Sequence, residues 1–366
     1  MNSGRRAFLG YATGLGAAIS VARVATAEDQ RSSVAAYVPS QRTQELLSLF
    51  ALKYPILQAP VGFASGPDLV IAVCKAGAMG SMALTRASPE EATERVKKVL
   101  EATSTPFAVN YILAFEPRSL AAALDAGAPA IQFSWGIPES QIVALVRSAG
   151  AKFGVQVASA DGARAALDAG ADYLVCQGIE AGGHVQASSS LLDVLASVLP
   201  DAHGKPVFAA GGIANGDGIR RVLVAGASGA ALGTRFVATQ ESYAHPDYKQ
   251  ALVKADASQT ALTVCFEGGW PNALHRSLRN ATFTRWEAAG CPPSGNRPGE
   301  GDVLARRPDG SPVLRYAAFS PSKTISGDRI VECALHAGLG VAEIKDIPSA
   351  GDLVRRLWAE CETVSA

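Results

Sequence analysis

The chain lacks an excess of charge of either sign. In 366 residues, 33 basic side chains stand against 33 acidic ones, and charged residues make up only 18%. A balance of this kind gives no electrostatic case for nucleic acid or for an anionic membrane surface. Cysteine is sparse and unpatterned: Cys74, Cys176, Cys265, Cys291, Cys333 and Cys361 show no C-x-x-C spacing. That argues against a zinc site or a dithiol redox pair, and it leaves Cys74 and Cys176, which sit inside apolar runs, as small core residues. Aromatic residues are few, at 7%, and 36 glycines with abundant alanine take their place. Small residues suit helices packed closely over strands, so the composition favours an α/β enzyme over a sandwich or a coiled coil.

The first residues do not look like fold. Arg5 and Arg6 precede a mild apolar stretch and then Ala25-Thr26-Ala27, a small-residue cleavage signature. The pattern resembles a twin-arginine export signal over residues 1–27, which places the mature protein in the periplasm with Glu28 as its start and no stable membrane insertion after cleavage. An uncleaved anchor or a frayed tail is the alternative; without use of the leader the protein stays in the cytoplasm. The stretch is glycine-rich and short for a transmembrane helix.

From Tyr54 a rhythm sets in. Apolar runs at 55–59, 80–84, 107–112, 130–133, 153–158, 173–176, 207–210 and 229–233 alternate with helical segments. The tripeptide Ala-Gly-Ala recurs around Gly77, Gly127, Gly150, Gly170 and Gly226, each time after a helical pattern and before an apolar run. A glycine there takes the left-handed conformation that ends a helix, so a repeated joint means a repeated helix-to-strand unit. Eight alternations predict a (β/α)8 TIM barrel over 54–238, after a lead-in at 28–53. A doubly wound open sheet is the runner-up, disfavoured because no G-x-G-x-x-G follows the first strand. Beyond Val237 the rhythm stops. Residues 243–256 and 273–289 read as helices of a small helical cap at 239–310, with loop from 290 to 310. The segment 311–366 then returns to the barrel, with helical patterns at 330–340 and 350–361.

Catalytic groups of such a barrel lie at the C-terminal ends of its strands. No paired carboxylates and no metal-spaced cluster occur there, which speaks against glycosidase or metallohydrolase chemistry. Instead the strand ends carry amides, glycines and one imidazole. Ala59, Pro60 and Val61 follow the first run, Asn110 ends the third, Ser134 and Trp135 follow the fourth, Gln156 ends the fifth, and Gln177 leads to Gly182, Gly183 and His184 after the sixth. Such a site hydrogen-bonds a ligand and leaves the hard step to a cofactor. Of five histidines, His184 is the one placed to reach what the glycines admit; it also fits a residue that merely closes a loop. Gly211 and Gly212 precede a helix expected from Gly218, whose N–H groups could bind phosphate, with Gly233 and Thr234 as the other wall. These glycines also suit tight turns with no ligand at all.

The motifs PILQAP at 55–60, AVN at 108–110, QGIEAGGH at 177–184, AAGGI at 209–213 and LGTRF at 232–236 together resemble the nitronate monooxygenase family, formerly called 2-nitropropane dioxygenases. The resemblance runs from about Tyr54 through Val354. It implies a barrel with non-covalent FMN, its phosphate on Gly211, Gly212, Gly233 and Thr234. Ala59, Pro60, Val61, Asn110, Gln156, Gln177, Gly182 and Gly183 would lie against the isoalloxazine and ribityl. It further implies His184 as the base toward a neutral nitroalkane, or as the group holding an anionic nitronate. The nitronate would give an electron to oxidised FMN, and O2 would complete conversion to a carbonyl compound and nitrite. Two departures stand out: Ser134 replaces a histidine that many members carry, and Tyr316 and Lys323 do not match the tyrosine-and-lysine cluster of one bacterial class. A flavin barrel passing hydride from NAD(P)H to a quinone or an enoyl thioester shares the AGGH-type pattern and is the alternative. A flavin-binding protein without turnover is a third reading.

Overall fold

The computed structural model describes residues 38–363, so the leader expected at 1–27 lies outside the described residues. The strands β1 (Ile56–Gln58), β2 (Ser81–Ala83), β3 (Ala108–Ile112), β4 (Ala130–Ser134), β5 (Lys152–Val157) and β6 (Tyr173–Gln177) are followed by the two-residue β7 (Gly183–His184), then by β8 (Val207–Ala210) and β9 (Gly229–Leu232). All but β7 form one parallel sheet in the order β1-β9-β8-β6-β5-β4-β3-β2. Each predicted apolar run matches one of these eight strands to within a residue or so at either end.

The sheet closes between β1 and β2, where strand pairing is thinnest. Met79 N–H donates to Ile56 O at 2.9 Å and Gln58 N–H to Met79 O at 2.8 Å. The buried Gln58 side chain then completes the seam, accepting from Ser81 N–H at 3.1 Å and donating to Ser81 O at 3.2 Å. An amide side chain thus replaces a peptide group, because a buried backbone donor and acceptor left unpaired would each be costly.

Helices cover the outside of the cylinder. The five glycines of the Ala-Gly-Ala joints all have positive φ, between 71° and 100°, as the predicted helix stop requires. Seven helices follow the strands in turn, from Pro67–Ala76 to Gly216–Val224. The eighth position is filled by Ala350–Thr363, which packs between those same two helices. The chain from 239 to 349 is therefore an insertion between β9 and its covering helix. At the other end of the barrel, the helix Gln41–Leu49 and Phe50 plug the floor, where Leu46 and Phe50 pack on Leu57, Met79, Tyr173 and Phe208. Cys74 and Cys176 are core residues, and burial pushes their thiols up to about 11 and about 12.

The inserted part is not purely helical. It contains the expected helices Pro246–Lys254 and Ala281–Ala288, but also β10 (Thr260–Thr263) and β11 (His275–Leu278), which join β7 in an antiparallel sheet ordered β10-β11-β7. A hairpin of β12 (Val303–Arg306) and β13 (Pro312–Leu314) lies in and after the stretch expected as loop. Helical reading of 273–289 fails at its start because all four β11 residues are buried, which hides the alternation of a strand. Residues 330–340 likewise hold only single turns, Ile330–Glu332 and the start of Leu339–Glu343. Between them Leu278 N–H donates to Leu335 O and Ala337 N–H to Arg276 O, so this segment runs alongside β11.

The barrel floor supplies a test of packing. A Cβ at Gly154 would overlap the ring of Tyr173, whose hydroxyl is buried with no hydrogen-bond partner. Gly154→Ala should therefore cost about 1–3 kcal/mol in urea unfolding. Tyr173→Phe should be neutral or stabilising by about 1 kcal/mol, because it removes an unsatisfied polar group and little else.

Candidate active site

The C-terminal ends of the barrel strands and the insertion enclose a cavity of about 430 Å3. Every residue singled out from the sequence lines it: Ala59, Pro60 and Val61 after β1, Asn110 on β3, Gln156 on β5, Gln177 on β6, then Gly182, Gly183 and His184, and finally Gly211 and Gly212 after β8 with Gly233 and Thr234 after β9. The amides of Asn110, Gln132, Gln156 and Gln177, one from each of β3 to β6, all face the cavity.

Those amides are not equivalent. Asn110 Nδ2 donates to Gln132 O at 3.1 Å and to Ser134 Oγ at 3.4 Å. Gln177 is committed at both ends, donating to His184 O at 3.2 Å and accepting from Gln186 N–H at 2.9 Å. It therefore holds β7 in place. Gln156 donates to Gln186 Oε1 at 2.7 Å, so Gln186 bridges β5 and β6 above the barrel. Gln132 Oε1 is buried with no hydrogen-bond partner among the described residues.

His184 is fixed by β7, which pairs with β11 so that His184 faces His275 across the ladder. Its ring stacks on Trp270, with centroids 4.1 Å apart and planes at 26°. The rings of His275 and His336 each stand 5.5 Å from it. Nε2 of His184 is buried and unpartnered. Burial first, then the nearby His336 and His275, push its pKa down from the ordinary 6.5 to about 2, so the imidazole is neutral. Burial, with His275 next, lowers His336 to about 4. His275 Nε2 accepts from Phe266 N–H at 3.2 Å, so its Nδ1 carries the proton and donates to Ala273 O at 2.9 Å. Both nitrogens being used, His275 has no lone pair left for a metal ion.

At the other end of the cavity the glycines form a compact floor. Gly212 has φ +70° and Gly211 φ +125°, conformations that side-chain-bearing residues rarely adopt. The segment after His336 closes over them: a Cβ on Gly340 would lie 2.5 Å from Gly212 O, and Gly338 N–H donates to Thr234 Oγ1 at 3.0 Å. Among the described residues no acceptor takes the N–H of Gly212 or of Thr234, the first residue of the turn Thr234–Val237. The following helix does not contribute as expected. It begins at Gly216, not Gly218, and two of its first-turn donors are already used: Gly218 N–H by Asn215 Oδ1 at 2.9 Å and Gly216 N–H by Glu360 Oε2 at 2.9 Å. An acidic side chain of the last helix thus sits where an anion was expected.

Sequence reasoning missed Gln132, Gln186, Trp270, His275 and His336. Gln132 could have been found, since it lies two residues before Ser134 in the fourth run. The others come from loops or from the insertion, and no local pattern marks them. Ser134 leaves no second imidazole on β4, but His336 brings one into the same cavity from the C-terminal segment. Tyr316 and Lys323 are engaged elsewhere, the first donating to Pro298 O and the second lying over the Tyr243 ring.

Comparison with known proteins follows from this geometry. The family described as nitronate monooxygenase matches residues 43–119 and 115–360. A nitronate monooxygenase of Pseudomonas aeruginosa is 31% identical, covering 87% of this chain and 99% of its own. Among solved structures, FabK from Thermotoga maritima superposes with a TM-score of 0.72 at 25% identity, over 87% of this chain and 95% of that one. Nitroalkane oxidase from Streptomyces ansochromogenes gives 0.70 at 32% identity, over 86% and 97%.

The histidine cluster makes stability depend on pH. In the unfolded chain these groups take up protons as pH falls through about 6.5, whereas folded His336 and His184 do so only near 4 and 2. The unfolded state then binds more protons, so stability falls as pH drops below 6.5, by about 1.4 kcal/mol per pH unit for each such group. Urea unfolding of His336→Gln should show a shallower decline between pH 6 and 4.5 than the wild type; equal slopes would contradict the neutral burial of His336.

Proposed function

The chain belongs to the nitronate monooxygenase family, and on that premise we propose that it is an FMN-dependent oxidoreductase converting alkyl nitronates and O2 into carbonyl compounds and nitrite. The observation that carries this reading is one cavity with main-chain donors that meet no acceptor among the described residues at its glycine end and an unpartnered imidazole nitrogen at the other. Its residues fit the cofactor. A Cβ on Gly183 would meet no protein atom within 4 Å, which leaves flat open space beside His184 for a ring system. The N–H groups of Gly212 and Thr234 suit a phosphate, and the unpartnered Gln132 Oε1 awaits a donor.

Bound there, FMN supplies the electron acceptor that no side chain of this site provides. The protein's own groups do the rest. Gln177 and Gln186 hold β7 so that Nε2 of His184 meets the substrate. Trp135, Trp270 and Phe115 keep water from the reacting end of the cavity. Because charging His184 is costly, a neutral nitroalkane, whose α-proton the imidazole would have to carry alone, is a poor substrate. A nitronate arrives already deprotonated, and its negative charge offsets the cost of a proton on Nε2. The nitronate anion is therefore the preferred substrate.

Anaerobic titration tests the reaction: ethyl nitronate should bleach the flavin absorbance of the purified protein, and NADH should not. Bleaching by NADH alone would favour the rival reading, hydride transfer to a quinone or an enoyl thioester. Gly212→Asp tests the cofactor site, since it places a side chain and a negative charge beside the proposed phosphate. We expect at least tenfold weaker FMN binding in equilibrium dialysis, with Gly212→Ala, which brings the backbone strain without the charge, affected less.

A further inference from the structure

His184 lacks anything that would let it carry charge, with one exception. The groups around it are Gln177 on β6, which bonds only its carbonyl, Trp135 after β4 at 6.3 Å and edge-on, His275 on β11, His336 on the C-terminal segment, and Trp270. No carboxylate pairs with it among the described residues. The charged Arg276 of β11 turns away, donating to Ile179 O at 2.9 Å. A proton on either neighbouring imidazole would oppose a positive charge on His184. Neutral His336, with its Nε2 on Ala318 O, keeps an Nδ1 lone pair that makes no hydrogen bond to His184. The indole face of Trp270, stacked at 4.1 Å, is the group in direct ring contact that presents negative potential, as aromatic faces do toward cations.

Trp270 is held for this by a built loop. Glu267 accepts Asn272 N–H at 2.6 Å and pairs with the buried Arg297 guanidinium. Trp270 N–H donates to Glu267 O at 2.8 Å, Gly268 N–H to Tyr316 O at 2.8 Å, and Ala318 N–H to Gly268 O at 3.0 Å. Gly269 and Asn272 take the left-handed conformation on either side, with φ +95° and +59°. A loop fixed at so many points keeps the indole in one orientation.

We propose that Trp270 is a positioning residue that makes a charged His184 tolerable: when a nitronate enters, Nε2 takes a proton from solvent and the imidazolium lies between the anion and the indole face. This rests on the nitronate reading above, and it adds the residue that sets how tightly that anion is held. The nitronate keeps all its electrons in this step; only one solvent proton moves. A cation–π contact in a desolvated site corresponds to about a tenfold change in anion affinity.

The test uses the flavin-loaded protein and nitrate, a planar oxyanion of the same charge as the nitronate head that cannot be oxidised in its place. Proton NMR of the imidazole Cε1–H, assigned by its loss in His184→Asn, should show neutral His184 at pH 7 without nitrate and protonated His184 at saturating nitrate. Trp270→Leu keeps an apolar side chain but removes the π face, and it should weaken nitrate binding about tenfold. Trp270→Phe, which restores a π face, should recover to within about threefold of the wild type. Glu267→Gln, which loosens the loop and leaves the indole present, should fall between them. A wild-type protein that binds no nitrate, or in which His184 stays neutral at saturation, overturns the proposal. So does a Trp270→Leu protein that binds nitrate as the wild type does. Oxygen uptake with ethyl nitronate is read separately: protonation of His184 by nitrate without turnover would sink the proposed reaction and leave the anion site standing.

Discussion

The site depends on one imidazole nitrogen held out of water, Nε2 of the half-buried His184. His184 sits on a two-residue strand that barrel and insertion share, and the walls that dry it come from both. The barrel provides Gln177, which grips β7 from below, and Trp135. The insertion provides β11 with His275, the loop with Trp270, and the segment with His336. Without either half the ring would be solvated and its proton affinity would return toward that of free histidine. The insertion is thus part of the reacting site and more than a cover over it.

The two ends of the cavity work by different physics. At the glycine end, main chain approaches main chain: Gly182, Gly212, Gly338 and Gly340 leave no room between loops for side chains, and the N–H groups of Gly212 and Thr234 meet no acceptor among the described residues. At the other end, side chains do everything, through ring stacking and a glutamine network. Gln177 shows that a residue lining a cavity can also position its neighbours. Its amide bonds His184 O and Gln186 N–H, on and just after β7, so it helps to place His184.

The barrel was legible in the sequence because its signals are local and repeated. Glycine in Ala-Gly-Ala is demanded by a left-handed joint, and each apolar run has the length of a buried strand. The strand-end residues followed from fold alone, since closing the sheet brings them together. What was not legible has partners far along the chain. Nothing near Gly216 reveals that Glu360, 144 residues later, would take its N–H. Asn215 reads as a helix cap whether the helix start is free or occupied. Similarly, β11 and residues 335–337 are extended only because they pair with each other and with β7. Burial of all four β11 residues erases the alternation by which a half-buried strand is recognised.

The helix Ala350–Thr363 brings a consequence for how the molecule folds. Its buried face, Leu353, Val354, Leu357 and Cys361, fills the groove between the first and seventh barrel helices, although the whole insertion separates it from the last barrel strand. Local helix-to-strand joints therefore cannot complete the outer ring by themselves. The last gap closes through a pairing of segments far apart in the chain, which carries the loop-closure cost of everything between them.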